Sequence, residues 1–66
     1  MKYKVGDFLI NLDRPQKGLT DYCQIKEDSS IGAYLVKYNG LRGLRLLCEN
    51  RMDSHYKKVN FLDFEH

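Results

Sequence analysis

Residues 34–49 read YLVKYNGLRGLRLLCE, and the pair Asn39-Gly40 between two apolar runs decides how the rest of the chain is read. Asn-Gly tolerates positive φ at both central positions of a type I′ turn, whose twist matches that of paired strands. The expectation is a central β-hairpin with arms over residues 33–38 and 44–50. A plain two-residue turn would set Lys37 opposite Arg42 and Val36 opposite Gly43, and like charges directly opposed cost stability. One extra residue at Arg42-Gly43 removes that pairing. Such a bulge puts Tyr34, Val36, Leu44, Leu46 and Cys48 on one face, and Lys37, Arg45 and Glu49 on the other. Glycine within a strand pattern marks sites of this kind.

Outward from the hairpin, shorter strands are expected. Residues 3–12 carry Val5, Phe8, Ile10 and Leu12, with a bend at Gly6-Asp7. NLDRPQKG, residues 11–18, is a loop, because Pro15 removes a backbone donor and Gly18 allows a turn back. In residues 19–27, Tyr22, Gln24 and Lys26 alternate with Cys23 and Ile25, which sets Cys23 and Ile25 inward and Tyr22 half exposed. EDSSIG, residues 27–32, is the next turn. MDSHY, residues 52–56, reads as one 3-10 turn, and residues 57–64 close as a fifth strand.

The chain has 66 residues and is read as one domain over 1–66. A chain this short buries only about 60% of the surface it exposes when unfolded, so its core has little to spare. At 42% apolar and 30% charged, it is too apolar and too patterned for disorder. No run approaches a membrane helix, and MKYKVGDFLI breaks at Gly6-Asp7 before a signal-peptide apolar region forms, so a cytoplasmic location is expected. There, Cys23 and Cys48 are expected reduced and buried as small apolar residues. With His55 and His66 they form no close ligand pair, so no metal or other cofactor is expected.

The order of features is five short strands, a long first loop, a tight turn between strands three and four, and a 3-10 turn before the last strand. This order resembles the SH3-like barrel. The opening YKVGDFLI, with Val5-Gly6-Asp7, is similar to the first strand of SH3-like, KOW-like and Tudor-like modules. The resemblance implies an all-β fold, a single five-stranded, partly open SH3-like barrel with the Asn39-Gly40 hairpin at its centre. It also implies that the first loop walls the binding surface, which would bring in Arg14, Pro15, Gln16 and Lys17. The chain lacks tryptophan and any ALYDY-like segment, so a proline-peptide groove is not implied.

The formal charge is +2, but it is segregated: Lys37, Arg42, Arg45, Arg51, Lys57 and Lys58 crowd residues 34–58, while residues 21–33 and 59–66 are each net acidic. Tyr34, Tyr38 and Tyr56 interleave with these cations, the pattern by which single strands of nucleic acid are held. Asp53-Ser54-His55 has the residue types of a hydrolase triad, but consecutive residues cannot aim at one another as a triad must. Asp63 and Glu65 lack a cleft in which to form an acid–base pair. No enzyme is expected. The reading is a small protein-interaction module, of the kind a phage-type or accessory regulator uses against a host protein, with a protein as partner. The alternative is a nucleic-acid-binding module. The residues expected to bind are Arg14, Tyr34, Lys37, Tyr38, Arg42, Arg45, Tyr56, Lys57 and Lys58. A monomer or a weak homodimer is expected, with no membrane association.

Overall fold

A five-stranded antiparallel sheet curled into a half-barrel forms the frame of the computed structural model, which describes residues 3–13, 19–29 and 31–60. Its strands are β1 (Phe8–Asn11), β2 (Tyr22–Asp28), β3 (Ala33–Tyr38), β4 (Arg45–Cys48) and β5 (Tyr56–Val59), in the lateral order β4-β3-β2-β1-β5. A 3-10 turn, Leu19–Asp21, leads into β2, and a helix α1 (Glu49–His55) joins the last two strands. The all-β class and the partly open five-stranded barrel are as expected. Among the described residues no helix is long and apolar enough to cross a membrane.

Directly paired residues of adjacent strands share a face, so the pairing defines the core. Leu9 pairs with Cys23, Ile25 with Val36, and Tyr34 with Leu47, and all six side chains are buried on the concave face. Cys23 and Ile25 are thus inward, as the alternation predicts. Tyr3 and Met52 join this cluster from outside the strands, and Tyr56 joins it from β5. Each apolar side chain so buried contributes about 1.5–3 kcal/mol against a large ordering cost. Tyr22 departs from expectation: it is buried beside Ile10 on the opposite face.

The bend before β1 has a definite structure. Gly6 adopts φ +98, and the Asp7 amide donates to the Lys4 carbonyl at 3.0 Å. The bend also extends the sheet, because the Gly6 amide donates to Ile25 and the Ile25 amide donates to Asp7. A second irregularity lies in β2, where the register against β3 shifts between Ile25 and Glu27. A bulge there bends the strand and helps curl the sheet.

The hairpin forms, but its register differs from the expected one. Ala33 pairs with Cys48, Tyr34 with Leu47, Leu35 with Leu46, and Val36 with Arg45. The shift from a plain turn is two residues, not one. An even shift preserves parity, so Leu47 points inward while Leu46 is 61% exposed and Leu44 44% exposed. Cys48 is exposed as well, and only Cys23 is the buried thiol expected of both. The connection absorbs the shift: Leu41 donates to Tyr38 across Asn39-Gly40, and both Gly40 and Gly43 adopt positive φ, at +82 and +80. Lys37 and Arg42 then lie outside the β3–β4 ladder, so their repulsion is avoided by omission rather than by a bulge.

The second arm ends at Cys48 because the chain turns into α1, a seven-residue α-helix where a 3-10 turn over residues 52–56 was expected. Cys48 is still extended, at φ −74 and ψ 145, and Glu49 brings a carboxylate to the first turn, where the helix dipole favours it. A helix this short does not persist alone in water. Packing sustains it, through a fully buried Met52 and bonds from two core tyrosines to Glu49 and Asp53. Leu47→Ala should therefore cost roughly 2–5 kcal/mol in denaturant melts, whereas Leu46→Ala should stay within about 0.5 kcal/mol. The reverse order would restore the one-residue bulge.

Candidate binding groove

The sheet separates the cations that the sequence places together. Lys37 pairs with Gln24 and lies on the convex face. Arg45 pairs with Val36 and lies at the rim of the concave face. Lys57 and Lys58 are neighbours in β5 and so point to opposite sides. Lys58 is engaged, 3.4 Å from the Asp7 carboxylate and 5.6 Å from the centre of the Tyr3 ring. Lys37 and Arg45 therefore do not share a face. The bulged register that would have gathered them does not occur.

The tyrosines also part. Tyr34, expected on the binding surface, is 1% exposed and packs edge-on against Tyr3 at 5.9 Å and 76°. Its hydroxyl donates to Glu49 Oε2 at 3.1 Å. Tyr56 is 7% exposed, and its hydroxyl meets that of Tyr38. Only Tyr38 of the three remains half open. The reason is parity: Tyr34, Val36 and Tyr38 alternate onto the concave face, and only the last reaches beyond the core. Arg14 and the loop residues Pro15, Gln16 and Lys17 lie outside the described residues, so the expected loop wall does too.

An open groove of ≈ 330 Å³ occupies this end of the barrel, lined by Asn11, Tyr38, Leu41 and Arg45. Four separate segments supply it: the end of β1, the end of β3, the hairpin connection and the start of β4. Arg51, on α1, is close enough to oppose the rise in the Tyr38 pKa that burial and the Tyr56 hydroxyl together produce. The groove thus has an amide, a phenol, an aliphatic wall and one guanidinium, that of Arg45. Sequence reading found Tyr38 and Arg45. It missed Leu41, which is 39% exposed, and Asn11, because neither carries a charge or a ring.

Beside the groove, the chain is pinned. Asp13 and His55 meet at 2.9 Å, the Leu12 amide donates to the His55 carbonyl, and the Asp13 amide donates to Asn11 Oδ1. Within the Asp-Ser-His run each side chain has its own partner: Asp53 accepts from Tyr3, Ser54 donates to the Asn50 carbonyl, and His55 meets Asp13. Comparison with known proteins returns no match: no family model fits the chain, and neither a curated protein nor a solved structure is significantly similar to it.

The buried acids give a pH signature. Burial pushes the Cys23 thiol from 9.0 up to about 12. Burial, then the bond to Asp53, pushes the Tyr3 phenol from 10.0 up to about 12. A raised folded pKa means the fold favours the protonated form, so this stability is complete below the unfolded pKa and falls as pH rises toward the folded one. Melting temperature should be flat to about pH 9 and fall steadily toward pH 12, as the two thresholds dictate. In Cys23→Ala, the fall should begin nearer pH 10, where free tyrosine ionises. Thermal scans across that range check both.

Proposed function

We propose that the chain is a non-enzymatic, SH3-like protein-interaction module whose groove takes a short peptide presenting an apolar side chain beside a carboxylate. The lateral order β4-β3-β2-β1-β5, with a short helix before the last strand, supports the SH3-like reading. The observation that carries the functional one is the composition of the groove: Leu41 and the Tyr38 ring offer apolar contact, and Arg45 stands beside them. Its ≈ 330 Å³ suits one or two side chains rather than a coenzyme. Charge-assisted hydrogen bonds from a guanidinium to a carboxylate are among the stronger polar contacts available, and Arg45 can make them bidentate.

The nucleic-acid alternative loses support for a specific reason. Strand binding uses successive exposed rings as a stacking platform. Tyr34 and Tyr56 are committed to the core, leaving Tyr38, and the cations divide between two faces of the sheet.

A nuclear magnetic resonance titration with two probes separates the readings: a short Leu-Glu-rich peptide and an oligothymidylate. The peptide is expected to shift the amides of Asn11, Tyr38, Leu41 and Arg45 at physiological salt. Arg45→Ala should weaken it roughly 10- to 100-fold, the cost of one charged hydrogen bond. Oligothymidylate shifts at the same residues that exceed those of the peptide and vanish with salt would replace this proposal with the nucleic-acid one.

A further inference from the structure

We infer that the outer edge of β4, which no strand among the described residues pairs, is a self-association site, at which a second copy of this chain adds its own β4 antiparallel to form a continuous sheet across a two-fold axis. The two edges of the sheet differ in a way that points there. The edge strand β5 reads YKKV, and its lysines are the usual guard against strand addition. The opposite edge, β4, reads RLLC, and its outer face presents Leu46 at 61% exposure beside an exposed Cys48. Ile31, 79% exposed, lies two residues before β3, at the end where Ala33 pairs with Cys48. Leu44, 44% exposed, lies at the other end of the strand.

The hydrogen-bonding parity fits a symmetric partner. The Glu49 amide donates to the Gly32 carbonyl at 2.8 Å, in the same register that pairs Tyr34 with Leu47. Narrow and wide pairs alternate in an antiparallel ladder, so the main-chain groups of Leu47 and Arg45 face β3, and the two groups of Leu46 and the Cys48 amide face the outer edge, while the Cys48 carbonyl starts α1. A two-fold axis through Leu47 sets Leu46 opposite Cys48 of the second copy, and Cys48 opposite its Leu46. Each pair gains one main-chain bond, from the Cys48 amide to the Leu46 carbonyl of the other copy, and the two side chains meet on one face.

Charge agrees with this register. The same axis sets Arg45 opposite Glu49 of the second copy, and Glu49 opposite its Arg45. Glu49 receives the Tyr34 hydroxyl on Oε2 and keeps a second carboxylate oxygen for this contact. A parallel or shifted pairing would lose both ion pairs. The contact is short, four residues of strand with their flanks, so the dimer is weak and forms reversibly. It goes beyond the groove reading: Tyr38, Leu41 and Asn11 take no part, and although Arg45 serves both, Leu46 belongs to the edge alone, so a Leu46 variant tells the two apart.

Sedimentation equilibrium of the full chain tests this directly. The weight-average mass should rise toward that of two chains between roughly 1 μM and 1 mM, the span of weak association. Leu46→Glu should weaken the dimer at least about tenfold while leaving the far-ultraviolet circular dichroism and the melting temperature unchanged, since Leu46 is a surface residue. A second variant keeps the register in view. Leu46→Cys with oxidised glutathione should form a covalent dimer through Cys48 of the second copy, and adding Cys48→Ser should abolish it. A chain monomeric throughout the range overturns the inference and leaves the edge to a different protein's strand. A dimer indifferent to Leu46→Glu, or a Leu46→Cys protein that fails to cross-link, overturns it as well.

Discussion

The inward placement of Tyr34 is the constraint on which the rest of the structure depends. Its ring meets Tyr3 edge-on, and its hydroxyl reaches Glu49 at the start of α1. Tyr3 makes the matching bond to Asp53 at 2.7 Å, one helical turn further along. Two core tyrosines therefore hold the same face of a helix too short to hold itself. Between those two bonds, Met52 fills the core without exposure. With Tyr34 inward, β3 has its phase, and β4 must supply an inward partner opposite it. Leu47 is that partner.

This placement propagates to both surfaces. The register that sets Leu47 opposite Tyr34 turns Leu46 and Cys48 out, which makes the β4 edge apolar. It also brings Arg45 to the concave rim, where it lines the groove with Tyr38. Groove and edge are thus two consequences of one register, meeting at Arg45. A domain of this size has so little core that its alternation cannot be relaxed at one strand without cost at the next.

Most of the strands were legible, because alternation in β2 and the Asn39-Gly40 turn act locally. Cys23, Ile25 and Val36 could be placed in the core from pattern alone. The register was not legible. Like-charge repulsion between Lys37 and Arg42 showed that a plain turn is disfavoured, but a shift of one residue and a shift of two relieve it equally. The deciding factor is α1, whose seven residues hold one buried apolar side chain, Met52. Such a pattern does not announce a helix. At the groove, cations and rings were visible as residue types, but Leu41 and Asn11 qualify by position only. Tyr34 shares the face of Val36 as the pattern predicts, but it and Tyr56 were also counted as binding residues, because tyrosine serves equally as a core ring with a hydrogen-bonded hydroxyl and as a surface platform.

Cross-strand nuclear Overhauser effects between α-protons test the central register most directly. In an antiparallel ladder these arise at the closer, non-hydrogen-bonded pairs. The structure predicts contacts between Leu35 and Leu46 and between Ala33 and Cys48. Contacts instead between Tyr34 and Leu46, or between Val36 and Leu44, would contradict it, and the account of Leu47, the groove and the outer edge would fall together.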